Sequence, residues 1–183
     1  MNFILETERL ALREWAADDA EALHVLMGDP EVMRYIGDGK TWDIGQVREW
    51  IGKLNVSYRT RGFSRWAVVE KESGLTVGSC GFALLPWSGE IDFGYMYRRD
   101  RWGRGYASEI GPAVLRHGFE RYGFSEVVAS IDPQNDASRR VLLKLGFVYR
   151  RNEVQPGDDE ESEIYVATNP AGAAAASKAS RTE

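Results

Sequence analysis

The stretch Arg101-Trp102-Gly103-Arg104-Gly105-Tyr106-Ala107, set within Tyr95 to Tyr122, follows an apolar, strand-like run and opens a helix-like one. Two glycines let the backbone turn tightly and approach a ligand closely. A helix beginning near Gly105 or Tyr106 aims its unpaired N–H groups and the positive end of its dipole at that ligand, so the stretch reads as a phosphate cradle. Four arginines, Arg98, Arg99, Arg101 and Arg104, fall between positions 98 and 104 of a chain whose formal net charge is -5. That local reversal of sign suits a bound anion, although a strand-to-helix turn with a solvated basic rim has the same spacing. The pattern is not a Rossmann fingerprint, because Ser108 stands where a third glycine belongs, and it is not a P-loop, because no Gly-Lys-Ser/Thr follows.

Outward from this stretch, the 183 residues, with 43% hydrophobic content, provide for one core. A single domain is expected over residues 1–169, followed by a disordered alanine- and serine-rich tail over 170–183. The lone Cys80 excludes an intramolecular disulfide, and the lack of a signal-peptide pattern or long apolar run predicts a cytoplasmic protein with no membrane segment. The acidic balance disfavours nucleic acid and favours cationic partners such as amines. No paired histidines or cysteines stand at ligand spacing around His117, and no metal is assigned.

Before the cradle, Glu8 to Trp15 alternates as a first strand with Leu10 and Leu12 facing inward. Asp18 and Asp19 start a helix through Ala22, Leu23, Leu26 and Met27. Asp29-Pro30 breaks it, and a shorter helix carries Val32, Met33 and Ile36 into Gly37-Asp38-Gly39, the two forming a lid. Asp43 caps a third helix with Val47, Trp50, Ile51 and Leu54 on one stripe, stopping before Gly62. Trp66 to Glu70 and Thr76 to Leu85 alternate as a hairpin about the turn Glu72-Ser73-Gly74, and Glu90 to Tyr97 forms the strand that leads into the cradle.

After the cradle the helix carries Ile110, Ala113, Val114, His117 and Phe119, but Pro112 stands six residues after Tyr106. An interior proline costs roughly 3 kcal/mol, so this helix is either kinked there or starts later, near Gly111. Val127 to Ile131 is a strand ended by Asp132-Pro133. Ala137 to Leu145 is a helix closed by Gly146 with Phe147 folding back, and strands Phe147 to Glu153 and Ser162 to Thr168 flank an acidic loop, Gln155 to Glu161. Asp158 to Glu161 reads as a solvated loop, or as four acids able to attract an amine.

Four motifs in order, Phe93-Gly94-Tyr95, then Trp102-Gly103-Arg104-Gly105-Tyr106-Ala107, then Asp132-Pro133-Gln134-Asn135-Asp136-Ala137-Ser138, then Leu145-Gly146-Phe147, resemble the GNAT N-acetyltransferase superfamily. With the opening Thr7-Glu8-Arg9-Leu10-Ala11-Leu12-Arg13, the chain is similar to its RimJ/RimL-like branch from about Thr7 to Thr168. The resemblance implies an α+β (mixed α/β) fold. Its mostly antiparallel mixed sheet has about six to seven strands and about four to five flanking helices. It implies that the sheet splays between the strands ending at Tyr97 and Ile131, with acetyl-CoA in the gap. Backbone N–H groups from Trp102 to Ala107 would hold the pyrophosphate, with Arg101 and Arg104 among the arginines meeting the remaining phosphate, and the edge at Met96 and Tyr97 would pair with the pantetheine amides. Asn135 would contact the pantetheine arm, cap the following helix, or do both.

The implied reaction is attack of a primary amine, from a protein N-terminus or a small molecule, on the acetyl thioester, with the oxyanion held by a backbone N–H near Met96. Asp92 and Glu90, two apart on one strand, are the candidate bases. The resemblance points first to Asp92, while a polar outward strand face is the competing reading of both. Where many members carry a tyrosine that protonates the leaving thiolate, this chain has Leu142, and Ser138, four residues earlier on the same helix face, is the substitute the branch suggests. The departure at Leu142 leaves room for a coenzyme-sensing module without turnover. A homodimer is compatible with the resemblance, and Trp42, Trp66 and Trp87 are open to either core or acceptor-pocket use.

Overall fold

The computed structural model describes residues 2–157 and 160–171; Met1, Asp158, Asp159 and the expected tail from position 172 onward lie outside the described residues. Two compact units divide the chain, Met1–Ala83 with Phe93–Val114, and Leu84–Asp92 with Leu115–Glu183.

The first unit is built on strands β1 (Leu5–Glu6), β2 (Leu10–Arg13), β3 (Arg65–Glu70), most of β4 (Thr76–Leu84) and the body of β5 (Ile91–Tyr97). β2 and β3 are antiparallel with Leu12 opposite Val68, and β3 and β4 are antiparallel with Trp66 opposite Cys80. Leu10, Ala11 and Leu12 are all fully buried, so both faces of β2 are covered where the alternation predicted one. The core gathers around Phe82, whose ring meets Trp66 edge-on at 5.9 Å and Phe63 at 6.4 Å, with Phe93 tilted at 6.1 Å. Trp66 therefore belongs to the core rather than to a pocket.

Three helices complete this part. A 3-10 turn at Ala17–Asp19 precedes α1 (Ala20–Met27), because the Asp19 carboxylate is drawn back onto Arg13 and the Ala16 N–H and the α-helix begins only after it. α2 is four residues long (Pro30–Met33), capped by Asp29. α3 (Ile44–Arg61) opens on a reciprocal cap, Asp43 accepting from the Gln46 N–H and Gln46 from the Asp43 N–H, each at 2.9 Å. Val47, Ile51, Leu54 and Tyr58 are its buried stripe; Trp50 is only half-buried, edge-on to Trp42 at 5.7 Å.

α4 (Tyr106–Arg121) starts at the cradle, so the later start near Gly111 is excluded. Tyr106, Ile110 and Val114 recur every four residues on its buried side, whereas Pro112 is exposed, so the Ser108 carbonyl that loses its N–H partner lies toward the solvent side of the helix.

The second unit contains β6 (Glu126–Ile131), α5 (Asp136–Lys144), β7 (Val148–Val154) and β8 (Glu161–Thr168). β8 pairs antiparallel with both β6 and β7, and β5 runs parallel to β6, registered at Asp92 opposite Val128. Neighbouring strands follow the order β1-β2-β3-β4-β5-β6-β8-β7. This is a mixed α/β fold with eight strands among the described residues. The strand beyond the expectation is β1, whose two residues are too short to show a period and form a strand only by pairing with Ala11 and Leu12. Among the described residues no helix is long and apolar enough to cross a membrane.

Candidate active site

β5 delivers the chain into the cradle. Arg98 donates its N–H to the Val77 carbonyl at 2.9 Å, and the Met96 carbonyl lies 2.5 Å from where a Cβ on Gly78 would stand, so both residues turn their backbone toward β4. Met96 and Tyr97, the expected edge, are the last two residues of β5. The Tyr97 carbonyl accepts the Trp102 indole N–H at 2.8 Å, while the Tyr97 side chain is buried. Gly94 has no room for a side chain: a Cβ there would overlap the Arg65 guanidinium.

The turn itself depends on Gly103 at φ 74° and Gly105 at φ 77°, left-handed values that other residues adopt only with strain. Nothing lies within 4 Å of a Cβ built on Gly103, so the loop is open above it. Glu109 donates its N–H to the Gly105 carbonyl at 3.0 Å, which leaves the N–H groups of Tyr106, Ala107 and Ser108 ahead of the helical ladder. The Trp102 N–H is not among the cradle donors as expected, because it is taken by the Arg99 carbonyl at 3.2 Å. Trp102 instead holds the turn through its indole and leaves half its surface exposed.

The four arginines separate by environment. Arg101 was expected at the phosphate, but its side chain is 15% exposed and turned inward, 3.2 Å from Glu70 and 2.7 Å from Asp100. Arg98 is also paired with Asp100. Arg99 lies 3.7 Å from Asp29, and Arg104, 49% exposed, lies 3.7 Å from Glu70. Sequence reasoning missed Arg9, which stands beside Gly105, 3.9 Å from the position of its Cβ. Glu109 grips Arg9 through its backbone N–H at 2.9 Å and its guanidinium at 2.6 Å, and the guanidinium stacks on the Tyr106 ring at 4.9 Å. Burial opposes ionisation of Glu109, yet the Thr7 hydroxyl and the Arg9 donors outweigh it and hold the carboxyl below its usual range.

Glu70 was also missed. At the end of β3 it reads as one more charge before a turn, but its side chain is 7% exposed. Ser73 donates to Oε2 at 2.6 Å, the Tyr106 hydroxyl donates to Oε1, and Arg101 and Arg104 approach as cations. The Ser73 and Tyr106 donors, followed by the Arg101 charge, overcome burial and pull the carboxyl down to about 2. No local sequence signal joins Glu70 to Tyr106, 36 residues later.

In the second unit, Asp92 is 8% exposed, which removes the reading of a solvated polar face. Glu90 precedes the strand and is engaged by Arg151 at 3.2 Å and Arg150 at 3.8 Å. Asn135 does cap α5, accepting the Ser138 N–H at 3.0 Å, and Ser138 is half-buried in the first turn. Leu142 is 1% exposed, packed as an apolar residue, and its carbonyl accepts the Phe147 N–H at 3.0 Å after the turn at Gly146. Among the described residues no group of three or more His, Cys, Asp or Glu side chains could hold a metal ion.

An open glycine turn feeding a helix N-terminus, with guanidinium groups at its rim, has the features of an anion site. The acetyltransferase (GNAT) domain family matches residues 9–148. The chain belongs to the GNAT acetyltransferase family. It is 33% identical over 172 residues to an uncharacterized N-acetyltransferase of Bacillus subtilis (strain 168), YoaA, covering 91% of this chain and 97% of that one. Its fold superposes on an acetyltransferase from Agrobacterium tumefaciens str. C58 with a TM-score of 0.79 at 25% identity, over 92% and 95% of the two chains. A RimL ribosomal L7/L12 α-N-protein acetyltransferase solved with coenzyme A shares the fold at a TM-score of 0.77 and 19% identity, over 91% and 98%. This GNAT member is therefore an acetyl-CoA-dependent N-acetyltransferase, and its cradle fits the pyrophosphate of that cofactor: left-handed glycines, leading N–H groups and adjacent cations.

Proposed function

We propose that this GNAT acetyltransferase moves the acetyl group of acetyl-CoA to a primary amine, on a protein N-terminus or a small molecule, by direct attack in a ternary complex. The observation that carries the reading is the open turn at Gly103 and Gly105 ahead of α4, with Arg9 and Arg104 at its rim. Gly103 to Ala107 present N–H groups to the pyrophosphate, Arg104 and Arg9 supply cations, and Tyr97 presents the strand edge to the pantetheine amides. Asn135 adds a contact to the pantetheine arm beyond its observed cap. The neutral amine nitrogen attacks the thioester carbonyl; a C–N bond forms, the C–S bond breaks, and the ammonium proton passes to Asp92. Asp92, 8% exposed on β5, is the first candidate for this base and Glu90, engaged by Arg150 and Arg151, the second. Ser138 stands in for the missing tyrosine near the leaving thiolate. A protein N-terminal acceptor is supported by the likeness to the RimL acetyltransferase, a likeness of fold.

Leu142, buried and apolar where many members place an acid, favours one second reading: an acyl-CoA-binding module without turnover. Two measurements separate the readings. Acetyl-CoA at 100 times its Kd should add about 2.7 kcal/mol of stability and raise the Tm, and no shift at millimolar ligand removes both readings. A panel of peptides, amino acids, polyamines and aminoglycosides, scored by thiol release and mass gain, should show turnover with at least one class; binding without release selects the module.

A further inference from the structure

Resting on the acetyl-CoA reading of the cradle, we propose that Glu70 is a positioning residue that holds the pyrophosphate loop in its binding shape. The loop from Trp102 to Gly105 contains two glycines in left-handed conformation and nothing packs over Gly103, so by itself it has much conformational freedom to lose. The residues immediately before and after it, Arg101 and Tyr106, both turn their side chains onto one carboxylate of β3. Arg101 stands 3.2 Å from Glu70 Oε1, and the Tyr106 hydroxyl donates to the same oxygen. Ser73 donates to Oε2 at 2.6 Å, fixing the carboxylate in turn. Both ends of the loop are therefore clamped to a buried point of the sheet before any ligand arrives.

The charges are matched to this use. A carboxylate beside an anion site repels the anion unless it is neutralised, and Arg101, turned inward and shared with Asp100, does so. Arg104 lies 3.7 Å from Glu70, beyond hydrogen-bond range, and its side chain is half exposed. Arg104 is kept near the loop by the Glu70 charge and the Tyr106 hydroxyl, while its half-exposed side chain remains able to turn to a phosphate. Preformed N–H groups bind without the ordering cost that a loose glycine loop incurs, so loosening the clamp should weaken only ligands that carry the pyrophosphate.

The test uses the full chain and two probes. Titration calorimetry gives the Kd of coenzyme A; displacement of coenzyme A gives the Ki of S-acetylpantetheine, which has no pyrophosphate. Glu70→Gln should raise the coenzyme A Kd about tenfold while the S-acetylpantetheine Ki moves less than about twofold. An unchanged Kd, or an equal loss for both probes, overturns the proposal, the second outcome marking a role in general stability alone. Should Glu70→Gln fail to fold at pH 7, Tyr106→Phe, which removes one hydroxyl, should raise the Kd about threefold with the same selectivity, and no change overturns the proposal. Wild-type protein that fails to bind coenzyme A overturns the cofactor reading itself, and this inference with it; wild-type binding with an unchanged variant overturns this inference alone.

Discussion

Replacing Glu70 by Gln should change how the stability of the fold depends on acid. A carboxyl held at about 2 instead of 4.5 favours its ionised, folded form by about 3 kcal/mol at neutral pH, since each pH unit of displacement is worth about 1.4 kcal/mol. The side chain is 7% exposed, so solvent screening takes little of this away. Because the folded value lies below the unfolded one, the stabilisation is complete well above pH 4.5 and drains away as the pH falls toward 2. By pH 3 about 2 kcal/mol of it is gone. Glutamine has no such titration, while Asp19, Glu109, Glu126 and Glu163, all held below their usual range, titrate alike in both proteins and cancel in the difference. Urea denaturation at pH 7, 4.5 and 3 should therefore show a gap between wild type and Glu70→Gln of about 3 kcal/mol at pH 7 that narrows to about 1 kcal/mol at pH 3. A gap that stays constant from pH 7 to pH 3 refutes the assignment of a charged, hydrogen-bonded carboxylate.

Asp92→Asn should lower kcat/KM by roughly 10²-fold and move the acidic limb of the pH profile, as expected of a lost general base; wild-type rates would pass the role to Glu90 or a water chain. Ser138→Ala should cost less than about tenfold in kcat/KM, the scale of one weak hydrogen bond, and abolition of activity by this change would show that the roles are misassigned. Phe82→Ala should lower unfolding free energy by about 3 to 5 kcal/mol in urea, because the fully buried ring stands among Phe63, Trp66 and Phe93 and leaves a cavity when removed. A loss below about 1 kcal/mol would mean the aromatic cluster collapses freely into the space.

What the sequence determined by itself was whatever depends on neighbours along the chain. The hairpin about Gly74, the cap at Asp43, the helix closed at Gly146 and the strand–turn–helix at Gly103 and Gly105 all follow from local rules of turn and cap chemistry, and their motifs in order were enough to recognise the family. The two-residue strand β1 was not legible, because its form comes from pairing with β2 rather than from a pattern of its own. The start of α4 near Tyr106 was read correctly, but the choice between it and a later start was not settled locally: Pro112 argued for a break, and placement of the proline on the exposed side let the helix run through it. In the site, sequence could count the arginines but not sort them. Arg101 turns inward and Arg104 outward because Glu70, 31 residues before Arg101, occupies the buried side of the loop, and Arg9 reaches Gly105 because Glu109, 100 residues later, holds its guanidinium. Charge pairing across such separations is decided by which strands and helices the tertiary fold brings side by side, and no spacing along the chain encodes it.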